Sequence, residues 1–333
     1  MNILLTGGAG YIGSHVAITL LEYGHRPVIF DNFVNSTSNV IARIELIVNK
    51  TIDCIEGDIR DMPALIKVIK ENKIDAVIHL AGLKSVSESN EKPLDYFSVN
   101  VGGTISLLQA MKKTGVRHLV FSSSATVYGE PRYLPIDESH PTNPTNVYGE
   151  TKLQTELILR NLSESDASWK FGCLRYFNPV GAHHSGLIGE APLGRPNNLM
   201  PIIASVAAGE RGELKIFGGD YGTKDGTGIR DYVHVMDLAR GHLASINYLA
   251  KVGSHLVNLG TGMGYSVLEV VGAYQQISCK TIPYSVEKRR SGDVAAVYAN
   301  TKLAESLLGW RATQNLYEMC ATSWAWKSQQ SKI

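Results

Sequence analysis

The chain has 333 residues, of which 44% are hydrophobic, and its 32 lysines and arginines nearly balance 31 aspartates and glutamates. A chain of this length buries a large core and exceeds one typical domain, so we expect a large α/β domain and a smaller lobe. The formal net charge of +1 argues against a protein that binds nucleic acid or an anionic membrane, because both partners require a basic surface.

The four cysteines are widely spaced and form no CxxC pair, which indicates neither a zinc site nor a disulfide framework. The apolar residues 1–6 are too few for the core of a signal peptide, and they lack a basic leader. No window approaches 18 apolar residues, so we expect no membrane span. Together these features predict a reduced, cytoplasmic protein without a bound metal.

Short apolar runs alternate with helical patterns along the first half of the chain. We predict strands at residues 3–6, 27–31, 51–56, 75–80 and 117–121, and helices that include residues 11–23, 93–113 and 147–162. Continuous apolar runs are typical of strands that are buried on both faces. The alternation therefore predicts an α/β fold built on a Rossmann-type, doubly wound parallel sheet with right-handed crossovers.

The composition changes after Tyr176. Residues 178–198 and 218–228 are rich in glycine and other turn-forming residues, and we predict loops there. Long loops are often functional, and these follow the nucleotide-binding pattern. We therefore expect a nucleotide-binding domain over residues 1–177, to which a segment near 234–260 returns. The rest of residues 178–333 should form a smaller α/β lobe that binds the substrate.

A glycine-rich segment follows the first predicted strand. The run Thr6-Gly7-Gly8-Ala9-Gly10-Tyr11-Ile12-Gly13 places Gly7, Gly10 and Gly13 between that strand and a helix. Glycines there let a pyrophosphate approach the backbone at the N-terminus of the helix. Asp31 ends the next strand, where a carboxylate accepts hydrogen bonds from ribose hydroxyls and repels a 2′-phosphate. This pattern predicts a dinucleotide site that prefers NAD to NADP.

Tyr148 and Lys152 are four residues apart, so on a helix they share a face. A nearby ammonium favours the phenolate, and we expect it to lower the tyrosine pKa from about 10 towards neutrality, which gives a general base for a sugar hydroxyl. The same spacing occurs at Tyr284 and Lys288, which we interpret as a strand end and a surface lysine.

A run of hydroxyl side chains distinguishes the first pair, because residues 122–124 end the strand that precedes it. Ligands bind at the carboxyl ends of strands in an open α/β sheet. Ser124 is thus placed to hydrogen-bond the same substrate oxygen as Tyr148, and we predict that Ser124, Tyr148 and Lys152 are catalytic. For Ser122 the pattern alone favours a solvated loop.

These motifs resemble the extended short-chain dehydrogenase/reductase family and, within it, the UDP-glucose 4-epimerases. The resemblance covers essentially the whole chain. The matching stretches are residues 6–13, 31–36, 57–60, 81–84, 122–129, 175–183, 197–201, 226–237 and 289–293. The resemblance implies NAD-dependent 4-epimerisation of UDP-hexoses through a 4-keto intermediate.

The resemblance also implies which residues bind each ligand. Those implied at the NAD site are Gly7, Gly10, Tyr11, Ile12, Gly13, Asp31, Asn32, Asn35, Ser36, Asp58, Ile59, Leu80, Ala81, Gly82, Lys84, Asn100, Ser122, Tyr148, Lys152, Tyr176 and Phe177. Those implied at the UDP-sugar site are Lys84, Ser124, Tyr148, Asn178, Asn198, Leu199, Lys215, Phe217, Arg230, Arg290, Asp293 and Val297.

Side-chain chemistry supports part of the second set. Arg230 and Arg290 carry forked donors that suit a diphosphate, and both lie on glycine-flanked segments of a near-neutral chain. The alternative for any single arginine is a solvated surface position. The adjacent His183 and His184 resemble a metal pair, but neighbouring residues do not easily face one ligand, so we interpret them as loop residues.

Val297 carries an expectation about substrate range. In the family, a tyrosine four residues after the aspartate that corresponds to Asp293 is associated with enzymes restricted to UDP-glucose and UDP-galactose. A small residue there is associated with enzymes that also use N-acetylated sugars. Val297 leaves room for a 2-acetamido group, so we expect activity on UDP-N-acetylglucosamine and UDP-N-acetylgalactosamine as well. In the alternative, Val297 packs in the core and Tyr298 fills the space.

In the implied reaction Tyr148 takes the proton of the sugar 4-hydroxyl with Ser124 bridging, and a hydride passes from carbon 4 to NAD and later returns. One alternative is an NDP-sugar dehydratase, but the Asp-Glu pair that dehydratases carry after the strand-end hydroxyl is replaced here by Ala125 and Thr126. Another is a non-catalytic nucleotide-binding relative, although such proteins usually lose the tyrosine or the lysine.

The expected partners are UDP-sugars and a second copy of the chain. The resemblance implies a homodimer, because the helical stretches 93–113 and 147–162 resemble the family's dimer helices, which pair into a four-helix bundle. We expect no nucleic acid and no membrane among the partners.

Overall fold

A seven-stranded parallel sheet forms the centre of the larger part of the molecule. The computed structural model describes residues 1–194, 196, 198–290 and 292–330. The strands in chain order are β1 (Asn2–Thr6), β2 (Arg26–Asp31), β3 (Asp53–Glu56), β4 (Ala76–His79), β5 (His118–Ser124), β6 (Lys170–Tyr176), β7 (Asn178–Val180), β8 (Leu214–Phe217), β9 (Ile229–His234), β10 (His255–Leu259), β11 (Gly264–Ser266), β12 (Tyr284–Glu287) and β13 (Ala296–Val297).

Helices cover both faces of this sheet and build much of the smaller lobe. They are α1 (Tyr11–Glu22), α2 (Asn39–Val48), α3 (Met62–Glu71), α4 (Val86–Glu91), α5 (Pro93–Tyr96), α6 (Gly103–Thr114), α7 (Val147–Ser165), α8 (Leu199–Ala207), α9 (Val235–Lys251), α10 (Val267–Ser278), α11 (Lys302–Leu308) and α12 (Leu316–Gln330). None of the helices in the described part of the chain is long and apolar enough to cross a membrane.

The order of the large sheet is β10-β6-β5-β4-β1-β2-β3, with every neighbouring pair parallel. Leu4 packs with the helices on one face, whereas Ile3 and Leu5 pack with α1 and α9 on the other. This two-sided burial explains the continuous apolar runs and confirms the predicted Rossmann-type sheet. The strand order reverses between β1 and β4, and open α/β sheets bind ligands at such a switch point.

The smaller lobe is built around β9, which pairs with β7, β11 and β13, and around the separate parallel pair β8 and β12. Helices α8, α10 and α12 bury an apolar core against these strands. The strand β10 of the large sheet lies far along the chain, after α9, and pairs with β6 in parallel.

Two local features differ from the sequence prediction. The single helix predicted at residues 93–113 is divided into α5, a π-helical turn over Phe97–Gly102, and α6. The loop predicted at residues 178–198 begins with the strand β7, which contains Pro179. The Asn-Pro-Val sequence resembles a turn, but a proline is tolerated in a short strand at a sheet edge. No helix or strand lies within the described residues 218–228, as predicted.

Candidate active site

The turn between β1 and α1 forms a backbone cradle at the switch point. Gly7 has a φ of 71°, and a Cβ on it would stand 2.6 Å from the Ala81 nitrogen. A Cβ on Gly13 would stand 2.3 Å from the Gly7 oxygen. Gly10 precedes α1 and provides no side-chain cap for its amides. The turn therefore requires glycine at 7 and 13 and presents the positive end of α1 to an anion.

Asp31 lies at the end of β2, beside this turn. Its Oδ2 accepts a hydrogen bond from the Ala9 amide and its Oδ1 accepts one from the Phe33 amide, both at 2.9 Å. Burial raises the pKa of Asp31, and these amide bonds partly offset that effect. The Ser36 hydroxyl is buried beside Asp31 and makes no hydrogen bond of ordinary geometry with the described residues. A fixed carboxylate with a buried hydroxyl beside it suits the hydroxyls of a nucleotide ribose.

An ion pair holds the predicted cofactor residues that follow β3. Arg60 donates to Asp58 from Nε to Oδ1 at 2.8 Å and from Nη2 to Oδ2 at 2.7 Å. Asn32 also donates to Asp58, at 3.4 Å. Hydrogen bonding from Arg60 lowers the pKa of Asp58 to about 2, so this carboxylate stays charged. Ile59 is buried against Gly103 of α6.

Asn100 organises the segment that follows β4. Its Oδ1 accepts a hydrogen bond from the Leu83 amide at 2.8 Å, and its Nδ2 donates to the Leu83 carbonyl and to the Thr151 hydroxyl. A Cβ on Gly82 would stand 2.9 Å from Asn100 Oδ1. Asn100 lies in the π-helical turn, a distortion that is frequent at functional sites. It therefore joins residues 80–84 to α7.

Tyr148, Lys152 and Ser124 meet at the carboxyl end of β5. Asn146 caps the N-terminus of α7 through its side chain, so both Tyr148 and Lys152 lie in the first turns of that helix. Lys152 is buried, its Nζ donates to the Ser122 carbonyl at 2.8 Å, and it lies 5.6 Å from the centre of the Tyr148 ring. The Ser124 hydroxyl is close enough to Tyr148 to favour its phenolate. The structure thus brings together the three predicted catalytic residues.

Burial shifts the pKa values of Tyr148 and Lys152 in opposite directions. Burial raises the pKa of Tyr148 to about 12, and Ser124 offsets only part of that effect. Burial also lowers the pKa of Lys152 to about 8, and its Nζ is committed to the Ser122 carbonyl. Burial of Tyr148 therefore opposes the lowering of its pKa that we expect from Lys152, and that expectation stays a prediction.

The structure also tests the interpretations of Ser122 and of the second Tyr-Lys pair. Ser122 is buried within β5, so its interpretation as a solvated loop residue is wrong. The strand continues through the serines because each of them pairs with β6. Tyr284 is 47% exposed in β12 and Lys288 follows at the surface, which confirms the interpretation of the second Tyr-Lys pair.

Tyr176 and Phe177 lie at the end of β6. The Tyr176 hydroxyl is hydrogen-bonded to His242 of α9, and Phe177 is buried in a cluster with Val127 and Tyr128. Tyr176 lies opposite Ser124 in the sheet, and the contact of Tyr176 and Phe177 with NAD stays a prediction.

The two predicted diphosphate ligands, Arg290 and Arg230, lie on different segments of the smaller lobe. The Arg290 guanidinium lies 3.8 Å over the centre of the Phe217 ring. Arg230 of β9 donates to the Val294 carbonyl at 2.9 Å, and its Nη2 lies 3.9 Å from Asp293 Oδ1. Guanidinium groups suit a diphosphate, and an aromatic ring suits a flat base.

Lys84 and Asn198 converge on a residue that sequence reasoning missed. Glu190 Oε1 accepts hydrogen bonds from Lys84 Nζ at 3.1 Å and from Asn198 Nδ2 at 2.7 Å. Lys84 follows β4 of the large sheet, whereas Asn198 precedes α8, so Glu190 links the two parts of the molecule. No motif marks Glu190, and only its position in the long predicted loop could have drawn attention to it.

Other predicted substrate residues occupy more open positions. Asn178 begins β7 and is exposed, and Leu199 begins α8. The Lys215 side chain is 58% exposed and forms an ion pair with Glu287 at 3.2 Å.

Val297 lies in β13, opposite Arg230 of β9, and packs against the cluster that contains Phe177. Tyr298 follows it in the chain, and its ring lies beside Gly264, where a Cβ would stand 3.2 Å from it. The Tyr298 ring, on the residue after β13, thus packs against Gly264.

His183 and His184 lie outside helices and strands, which confirms their interpretation as loop residues. Their rings are 4.0 Å apart, and His183 Nδ1 is hydrogen-bonded to Ser185 at 2.8 Å. Within the described ranges, no group of three or more His, Cys, Asp or Glu side chains has an arrangement suited to a metal ion.

Comparison with known proteins places these features in a family. The family model for the NAD dependent epimerase/dehydratase family matches residues 3–260. UDP-glucose 4-epimerase from Homo sapiens is 52% identical, and the match covers 98% of this chain and 97% of that relative. The structure of UDP-glucose 4-epimerase from Stenotrophomonas maltophila, with bound NAD and formylated UDP-arabinopyranose, matches with a TM-score of 0.98 at 47% identity, covering 100% of this chain and 99% of that one.

A second solved structure, UDP-glucose 4-epimerase from Bifidobacterium longum in complex with NAD+ and UDP, has a TM-score of 0.96 at 49% identity, with 99% of each chain covered. A glycine cradle and a Tyr-Lys pair at a strand end of a Rossmann-type sheet define an NAD-dependent enzyme of the short-chain dehydrogenase type. The chain belongs to the NAD dependent epimerase/dehydratase family, and the resemblance to its UDP-glucose 4-epimerases is confirmed. Asn197 and Ser291, which fall within the matching stretches, lie outside the described residues.

Proposed function

We propose that this protein is an NAD-dependent 4-epimerase that interconverts UDP-glucose and UDP-galactose. The observation that carries the proposal is the buried Lys152 beside Tyr148, at the carboxyl end of β5. The identity with named UDP-glucose 4-epimerases over nearly the full chain supports the same reaction. The turn Ala125–Val127 that follows Ser124 contains no carboxylate, so the acid that a dehydratase would need is not supplied there.

The residues of the glycine cradle fit NAD. NAD held there would supply the hydride acceptor for carbon 4 of the sugar and the donor that returns the hydride to the same carbon. Gly7 and Gly13 leave room for a pyrophosphate beside the first amides of α1. Asp31 and Ser36 offer polar atoms to ribose hydroxyls, and the carboxylate disfavours a 2′-phosphate because the charges are alike.

Tyr148 acts in this proposal as the general base for the sugar 4-hydroxyl, and it later returns the proton to the inverted hydroxyl. The Ser124 hydroxyl, which accepts a hydrogen bond from Thr126 Oγ1 at 3.0 Å, bridges the phenol and the sugar oxygen. Burial raises the pKa of Tyr148 to about 12, so the phenolate depends on the charge of Lys152. Lys152 must therefore remain an ammonium in a buried site.

The lobe formed by residues 178–333, apart from the segment near 234–260, binds the UDP part in this proposal. Arg230 and Arg290 bind the diphosphate, and Phe217 contributes an aromatic face beside them. Binding energy placed on the nucleotide leaves the sugar free to turn over between the two hydride transfers, so that both faces of carbon 4 can react.

We also propose activity on UDP-N-acetylglucosamine and UDP-N-acetylgalactosamine. Val297 is smaller than the tyrosine associated with restricted enzymes, and the ring of the next residue, Tyr298, lies beside Gly264. These two features support the proposal that a 2-acetamido group fits beside Val297.

The assembly proposed is a cytoplasmic homodimer. Apolar side chains are exposed on the helices expected to pair: Leu94 is 82% exposed, Ile105 40% and Leu157 39%. A second copy that packs against these helices would bury these side chains, which favours association.

Incubation of the purified protein with UDP-glucose, without added reductant, tests the proposed reaction. We expect UDP-galactose to accumulate until the two sugars reach equilibrium, with no net formation of NADH. A dehydrated keto sugar as product would instead identify a dehydratase. Binding of NAD and UDP-glucose without turnover would favour the non-catalytic alternative.

A further inference from the structure

A buried carboxylate lies one helical turn beyond Lys152. Tyr148, Lys152 and Glu156 are spaced by four residues on α7, so they share the face that packs on β5 and β6. Glu156 is 7% exposed, whereas Glu150 and Glu164 on the same helix are exposed. A buried charge is unfavourable unless it is paired, so the position of Glu156 requires partners.

Two residues of the sheet hold Glu156 in place. Arg175 of β6 donates from Nε to Oε1 at 3.0 Å and from Nη2 to Oε2 at 2.6 Å, and Ser123 of β5 also donates to Oε1. Arg175 is itself buried, and its guanidinium lies 4.8 Å from the centre of the Tyr128 ring. A bidentate pair between two buried side chains fixes the direction of the carboxylate.

The same strand segment positions Lys152. Ser123, which binds Glu156, directly follows Ser122, whose carbonyl accepts the hydrogen bond from Lys152 Nζ. Burial disfavours the ammonium form of Lys152, and the negative charge of Glu156 favours it. The two residues are therefore coupled through β5 as well as along the helix.

The other titratable groups that face Lys152 do not supply a negative charge at neutral pH. Tyr148 on the same helix and Tyr176 of β6 have raised pKa values because they are buried. Burial lowers the pKa of His79 of β4 to about 3, so this imidazole is neutral. Arg175 is positive and is paired with Glu156.

We propose that Glu156 is a positioning residue which, held by Arg175 and Ser123, keeps Lys152 in its ammonium form at the Ser122 carbonyl. Glu156 acts through Lys152 and does not touch the substrate. The proposal rests on the proposed function in one respect, namely that a charged Lys152 assists Tyr148 as the base.

Glu156→Gln tests this role, because it removes the charge while it keeps the shape and an oxygen that accepts from Ser123. We expect the pH midpoint at which Lys152 loses its proton to fall by about one unit. At pH values above the wild-type midpoint, the fraction of Lys152 in the ammonium form should then be about tenfold smaller than in the wild type. The midpoint is measured by NMR of the holoenzyme with ¹³Cε-labelled lysine, and Lys152→Met identifies the signal. Above the midpoint, kcat should fall about tenfold while KM for UDP-glucose stays within about twofold.

Glu164→Gln is the matched control, since it removes an exposed charge from the same helix and should leave the Lys152 midpoint and kcat unchanged. Glu156→Asp keeps the negative charge but places it farther from Lys152, because the side chain is one methylene shorter. It should lower the Lys152 midpoint by less than Glu156→Gln does. It also serves if the Gln variant does not fold.

An unchanged Lys152 midpoint in a folded Glu156 variant overturns the proposal even if kcat falls, because Glu156 would then act only in packing. A shifted midpoint in a protein that does not epimerise UDP-glucose would support the coupling of Glu156 to Lys152 and refute the proposed function. The two proposals therefore fail on different observations.

Discussion

Val297→Tyr should separate the acetylated substrates from the others. Val297 packs against the cluster that contains Phe177 and Val127, and the ring of the next residue, Tyr298, lies beside Gly264. A tyrosine at 297 would place a phenol in the space that a 2-acetamido group needs. The 2-hydroxyl of UDP-glucose is much smaller, so its reaction should continue at close to the wild-type rate.

The magnitude follows from the cost of overpacking. Forcing a larger group into a filled site costs about 1–3 kcal/mol, and we expect kcat/KM for UDP-N-acetylglucosamine to fall by about 5- to 150-fold. Chromatographic separation of the epimers, at concentrations of each UDP-sugar well below KM, measures both kcat/KM values in one preparation. Tyr298→Phe is the control and should leave their ratio unchanged. The steric reasoning would be refuted if the wild type did not turn over UDP-N-acetylglucosamine. It would also be refuted if Val297→Tyr kept the full wild-type activity on that substrate.

The remaining predictions concern the cofactor and the assembly. Asp31→Ala should weaken discrimination against NADP, measured as the ratio of dissociation constants for the two cofactors, and a wild type that prefers NADP would contradict the assignment. Gly13→Ala should purify with little NAD, because its Cβ would stand 2.3 Å from the Gly7 oxygen, whereas Gly272→Ala in α10 has open space and should retain it. Sedimentation should show a dimer at micromolar concentration that Leu94→Glu dissociates, and a wild-type monomer would exclude the proposed pairing.

The central sheet could be predicted from the sequence because its strands are buried on both faces. Ile3, Leu4 and Leu5 are fully buried, so local composition alone identifies β1. The π-helical turn over Phe97–Gly102 carries no such signal. It depends on Asn100, whose side chain holds Leu83, a residue distant in sequence.

Some features of the candidate site could likewise be predicted from the sequence, and others could not. The spacing of Tyr148 and Lys152 and the hydroxyl at Ser124 could be found along the chain, because helix periodicity and the strand end fix their directions. The effect on the tyrosine pKa could not, since burial depends on packing from distant segments. Glu156 stands four residues after Lys152, so its face was predictable, but its partner Arg175 lies on another strand and only the folded chain brings them together.

The most direct test of the proposed mechanism compares Tyr148→Phe with Tyr284→Phe. Each change removes one phenolic oxygen from a Tyr-Lys pair of the same spacing, but only the first pair lies at the end of β5. With NAD content and Tm unchanged, kcat for conversion of UDP-glucose to UDP-galactose should fall at least about 10²-fold in Tyr148→Phe. The Tyr284→Phe enzyme should match the wild type. Near-normal turnover by Tyr148→Phe would contradict the assignment of Tyr148 as the base.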